Sequence, residues 1–185
     1  MFFTFCFSVT NTNLSFPNDH FRKAKWGMSK KEVKSTEKET LETDVPNYLV
    51  YSGTVSGLPC IIQYNFCKNI FTSSAYSFEV DQFDMNNYDS LYYKLSLILE
   101  SKYGKPTTNG EIWNSMTYML KPKYYALAIK LGEYEIFEKW IFPETTITLK
   151  LTGESGKIKL YIIYRSVKLR QFELDTLKEE EKEGL

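Results

Sequence analysis

Histidine is almost missing from this chain of 185 residues: His20 is the single one. That excludes a histidine-based nucleophile system and a multi-histidine metal site. His20 itself, in a polar stretch beside Asp19, reads as a surface residue. Net charge is missing as well, since 23 Lys and Arg balance 23 Asp and Glu. No global field therefore points towards nucleic acid or an anionic membrane. Cysteine is scarce and odd in number (Cys6, Cys60, Cys67), with no CxxC spacing. If Cys60 and Cys67 share one extended strand they lie about 23 Å apart on opposite faces, so the expectation is two buried thiols; a disulfide or a reactive cysteine is the alternative. The chain has no Walker loop, no dinucleotide glycine fingerprint, no G-x-S-x-G elbow and no H-E-x-x-H. No cofactor, metal or catalytic residue is expected.

Long apolar runs are also lacking. Met1–Val9 is apolar but about half the length a bilayer span requires. It has the look of the middle and end of a secretory signal whose charged beginning is missing, as a start assigned too far downstream would produce. Thr10–Ser15 behind it suits a cleavage region or tether. The expectation is export to the periplasm or cell envelope; an N-terminal strand in a cytoplasmic protein is the alternative.

Aromatic residues are what the chain has in abundance, with 14 Tyr, 13 Phe and 3 Trp. Such a load favours strands over a helical bundle. The rest of the chain is arranged around Phe21–Val33, where a helix start is fully specified: Ser29 as N-cap, Glu32 three residues on for a capping box, and Met28 with Val33 as a hydrophobic staple. Gly27 permits the turn before the cap and Trp26 anchors it. The helix should end between Ser35 and Glu39, followed by a polar connector over Thr40–Pro46. Strands are expected over Tyr48–Val55, Leu58–Cys67 and Ile70–Val80, with Ser56-Gly57 and Lys68-Asn69 as turns.

Asn87 or Asp89 should cap a second helix, whose Tyr88, Leu91, Tyr92, Leu95, Ile98 and Leu99 form one apolar stripe to cover the sheet. Gly104 and Pro106 end it. A strand is expected over Glu111–Leu120, then over Lys123–Leu131 a short helix on which Tyr124, Leu127, Ala128 and Leu131 recur at helical spacing, with a strand as the alternative. Glu133–Phe142, Thr145–Leu151 and Lys157–Ser166 make a second meander, hinged at Thr152–Gly156. The domain plan is a signal remnant and tether over 1–19, one domain over 20–168, and a charged tail over 169–185 that frays at Glu179–Glu183. The fold class is α+β: an antiparallel sheet of two three-stranded meanders, in two helix-plus-strands units, with helices on one face.

Three constellations could carry function. Glu138 falls between Ile136 and Trp140 on an apolar face, where an acid is a candidate for acid–base work; Glu133 and Glu135 should face water. Arg22, Lys23, Lys25, Lys30, Lys31 and Lys34 cluster beside Phe21 and Trp26, a mixture that can bind phosphates or stack bases but that also suits a solvated face. The candidate binding surface is accordingly Arg22, Lys23, Lys25, Trp26, Glu138 and Trp140.

Phe21-Arg22, Trp26-Gly27-Met28-Ser29, Glu32-Val33, Tyr103-Gly104-Lys105-Pro106 and the later Trp140, Ile147, Leu149 and Tyr164 together resemble a family of small uncharacterised bacterial exported proteins. The Gly-Met-Ser-x-x-Glu-Val start is similar to that of the outer-membrane assembly lipoproteins of the BamE/SmpA type, which share a helix-plus-sheet layout with the β-lactamase inhibitor protein. The resemblance implies an exported α+β domain with a binding or scaffolding role and carries over no catalytic residue. The reading is a non-enzymatic protein-binding module of the cell envelope, recognising its partner through an aromatic sheet face or its rim. A cytoplasmic immunity or inhibitor protein that blocks an enzyme is the second reading, and a hydrolase built on Glu138 the third.

Overall fold

Each half of the chain opens with a helix and contributes four strands to one antiparallel sheet. The computed structural model describes residues 20–80 and 88–183. In the first half α1 (Lys30–Thr36) precedes β1 (Thr40–Val45), β2 (Tyr48–Val55), β3 (Leu58–Cys67) and β4 (Ile70–Glu79). In the second, α2 (Tyr88–Tyr103) precedes β5 (Thr108–Trp113), α3 (Tyr125–Lys130), β6 (Tyr134–Ile141), β7 (Thr145–Glu154) and β8 (Lys157–Ser166). A final helix, α4, spans Arg170–Glu183. All strands join one eight-stranded sheet in the order β1-β2-β3-β4-β8-β7-β6-β5. The last strand of each half meets the other, antiparallel, at the centre. The order is therefore the same read from either edge, and the two halves are related across the β4–β8 seam.

The α+β antiparallel reading holds, with both meanders one strand longer than expected. Thr40–Val45 is an edge strand paired with β2 instead of a connector; being polar and exposed, it carries no inward alternation to betray it. On the far edge β5 begins earlier, at Thr108, and stops at Trp113, leaving Met116 exposed in the loop. Both edges are short and polar, which discourages pairing with another chain. The turns follow local chemistry: Ser56-Gly57, Lys68-Asn69 and Ser155-Gly156 all take positive φ, as two-residue hairpins need. The last of these lies beyond Thr152–Glu154, which stay in β7.

Alternation along the strands sends Ile62, Tyr64, Phe78, Trp140, Ile147, Leu149, Leu151, Leu160 and Ile162 into one core face. Three helices cover it. α1 carries the full capping box at Ser29–Glu32 and buries Val33. α2 buries Leu91, Tyr92, Leu95 and Leu99, and its end at Gly104 (φ 78°) is held by Trp140, whose indole Nε1 donates to the Gly104 carbonyl at 2.7 Å. α3 departs from the expected register: Ala128 and Ile129 are buried while Tyr124, Leu127 and Leu131 stay exposed. Its last turn lies so close on β7 that a Cβ at Gly153 would sit 1.8 Å from the Ile129 carbonyl oxygen.

The tail is the larger departure. Instead of fraying, residues 170–183 form α4, which crosses to the other face of the sheet and docks with polar groups. Ser73 Oγ donates to Glu173 Oε1 at 3.2 Å, Arg170 pairs with Glu173 at 2.5 Å, Lys68 pairs with Glu179 at 2.7 Å, and Thr176 is buried. The helices are thus not confined to one face. Cys60 and Cys67 both lie on β3 and are buried. The segment Met1–Asp19, with Cys6, and Asn87 lie outside the described residues.

Candidate functional site

The six residues singled out by sequence do not come together. Arg22 sits at positive φ (54°) and turns inward, its guanidinium reaching Glu37 Oε2 at 2.9 Å and Glu39 Oε1 at 3.0 Å. Glu37 also accepts from the Tyr64 hydroxyl at 2.6 Å. Burial works against its charge, but Tyr64, the Lys38 amide and Arg22 outweigh it and hold the carboxyl below its ordinary range. This closed network ties the end of α1 to the core. Trp26 stacks on His20, packs against Phe71 and donates from Nε1 to Thr145 Oγ1 at 2.8 Å, bracing the first half against β7. Lys30 and Lys34 share Asp44, while Lys23 and Lys25 are exposed on the preceding turn. The basic cluster is therefore dispersed, with its arginine engaged in structure.

Glu138 does point to the core face, beneath α2. Ser96 Oγ donates to its Oε2 at 2.8 Å, and the Tyr92 hydroxyl faces it; burial first and Glu138 second raise Tyr92 above the usual phenol range. The contact fastens helix to sheet. Trp140 is 1% exposed and belongs to the core. Glu135, expected in water, instead accepts from Thr152 at 2.6 Å and pairs with Lys150 at 2.7 Å, and Glu133 has one carboxylate oxygen buried. Burial pushes the Cys60 thiol up to about 11, which argues against a reactive cysteine.

The opposite face of the sheet is where side chains remain unoccupied. Its cross-strand rows follow from the register. One row runs Lys139, Thr148, Ile163, Ala75, Gln63 and Val50. The next runs Ile141, Thr146, Arg165, Ser73 and Asn65. A third runs Phe137, Lys150, Tyr161, Ser77 and Ile61. The face is rich in hydroxyls and cations, with aromatic residues confined to Phe137 and Tyr161 in these rows; the other rings went mainly into the core. With α4 standing over one end, the face holds two adjoining hollows of about 540 and 480 Å³ that share Lys150, Ile163 and Arg165.

The larger hollow is lined by four cations, Lys139, Lys150, Arg165 and Arg170, and by no acid among the described residues. Lys150 and Arg170 are paired with Glu135 and Glu173. Among the described residues Lys139 and Arg165 have no carboxylate partner. Sequence reasoning missed these residues. The alternation over Thr145–Leu151 does put Thr146, Thr148 and Lys150 outward, but convergence with Lys139 and Arg165 needs the register of three strands. Comparison with protein-family models, curated proteins and solved structures finds no match to the chain.

Proposed function

We propose that this chain is a non-enzymatic protein-binding module that presents the uncovered face of its sheet to a partner. One observation carries the reading: three helices seal one face, while the other keeps a contiguous hollow surface of hydroxyls, amides, cations and the carboxylates of Glu135 and Glu154, with Ile163 within it and Ile61 and Phe137 beside it. A surface that mixes polar and apolar groups in this way suits a protein interface. Glu138, on which the hydrolase reading is built, is bonded to Ser96 and faces Tyr92, a contact between helix and sheet that weighs against that reading.

The module acts in the bacterial cell envelope; that part rests on the sequence of Met1–Ser15 and on the resemblance to exported proteins stated above. Tagged wild type and an Ala75→Trp variant, which fills the groove at its centre, test the whole reading. Retention of one partner from the envelope fraction by wild type, lost in Ala75→Trp with an unchanged circular dichroism spectrum, supports it. Equal retention by both variants removes the sheet face from consideration. Co-purification solely with a cytosolic enzyme favours the immunity or inhibitor reading.

A further inference from the structure

Resting on the binding-face reading, we propose that the 540 Å³ hollow is the seat of an acidic side chain, Asp or Glu, offered by the protein partner. Lys139 stands directly across from Thr148 on β7, and Thr146 directly across from Arg165 on β8. Lys139 and Arg165 are thus two strands apart, about 10 Å across the sheet. An ammonium and a guanidinium on long stems bracket a carboxylate at that span, with the Thr146 and Thr148 hydroxyls between them as further donors.

Charge accounting favours an anion from outside. The carboxylates nearby are already engaged: Glu135 by Lys150 and Thr152, Glu173 by Arg170 and Ser73, and Glu144 by Lys168 and His20. The hollow keeps a positive balance in a chain whose formal charge is zero. The molecule itself supplies a second, independent precedent beside the hollow. Glu173 of α4 is buried on this same face between an arginine and a serine hydroxyl, so the face accepts a carboxylate with the donor types that Arg165, Thr146 and Thr148 repeat. A side chain carried on a protein fits better than a free ion, because the hollow opens into the second one, whose Gln63, Asn65 and Tyr161, beside Glu135 and Glu154, give polar surface to the residues that follow.

The test titrates the full chain, by NMR or calorimetry, with a glutamate-rich decapeptide, its glutamine counterpart and inorganic phosphate. Expected is binding of the glutamate peptide that weakens as salt rises, and weakens about tenfold or more in Lys139→Gln and in Arg165→Gln. Lys94→Ala, on α2 over the other face, leaves the affinity unchanged, and the variants keep the wild-type circular dichroism. Equal binding of the glutamate and glutamine peptides, or equal affinity in all variants, overturns the proposal. Phosphate binding as tightly as the peptide also overturns it, in favour of a small-anion site. Loss of partner capture in Ala75→Trp together with failure of the peptide arm overturns the acidic seat while leaving the binding face in place.

Discussion

On β7, Ile147, Leu149 and Leu151 are fully buried beneath the helices, while their neighbours Thr146, Thr148 and Lys150 line the opposite hollow. One strand thus belongs to two surfaces of different purpose. Towards the helices the charged groups are joined to partners, Arg22 with Glu37 and Glu39, Ser96 with Glu138, and the Trp140 indole with Gly104, and among the described residues Tyr51, Ser74 and Tyr92 bury hydroxyls without a hydrogen-bond partner. Towards the hollow polar groups are frequent, and among the described residues two cations, Lys139 and Arg165, lack a carboxylate partner. A buried polar group without a partner costs stability, so the core face tolerates few; a solvated face bears them at little cost. The difference teaches that strand parity divides a sealed face from a solvated one, which on the proposed binding reading divides stability from recognition, and the division can be broken experimentally.

The most damaging change should be on the sealed face. Trp140→Ala removes a side chain that is 1% exposed together with its bond to the end of α2, and should cost about 3–5 kcal/mol. Urea unfolding measures it. Trp140→Phe keeps much of the volume and should cost less. Next comes Gly153→Ala. A Cβ there meets the Ile129 carbonyl at 1.8 Å and the Lys130 carbonyl at 2.8 Å, and backbone cannot yield as a flexible side chain does. The expected loss is about 3 kcal/mol, with faster amide exchange confined to α3. A neutral outcome in either would mean that the helices do not seal the core as described.

A smaller effect depends on pH. Glu37 is held below its ordinary value of 4.5 in the folded chain, so the folded state binds a proton less readily than the unfolded one. Its contribution is complete above that ordinary value and is lost as pH falls through the lower, folded one. Glu144 is lowered to about 2 by Lys168 first and His20 second, with the same sign, but it lies in solvent, where such pairs contribute little. Stability measured from pH 6 down to pH 2 should therefore fall less steeply in Glu37→Gln than in wild type, and fall unchanged in Glu144→Gln.

The sealed face was largely legible in the sequence, and the open face was not. Tyr48–Val55 and Leu58–Cys67 were readable to the residue, because alternation and the Ser56-Gly57 turn are local signals. The Ser29–Glu32 box fixed the start of α1 for the same reason. Thr40–Val45 escaped since an edge strand owes its existence to a distant partner, here β2, and shows no apolar period of its own. The α3 register escaped because close approach to Gly153 outweighs the Leu127–Leu131 stripe. α4 escaped because it docks through Glu173 and Thr176, polar residues that read as tail. Lys139 and Arg165, 26 residues apart in the chain, meet only through the pairings of β6 with β7 and of β7 with β8.

The smallest expected effect separates the two faces most sharply. Lys139→Gln and Arg165→Gln remove charges from a solvated surface where neither has a carboxylate partner among the described residues, so each should change unfolding stability by no more than about 0.5 kcal/mol. Removing two like charges from the same hollow relieves repulsion, so the double variant should be at least as stable as wild type at low salt, with the difference shrinking as salt is added. Thermal melts at low and moderate ionic strength distinguish these outcomes. A loss above 1 kcal/mol in either single variant would mean that the open face helps hold the sheet together, and parity would no longer divide its two duties.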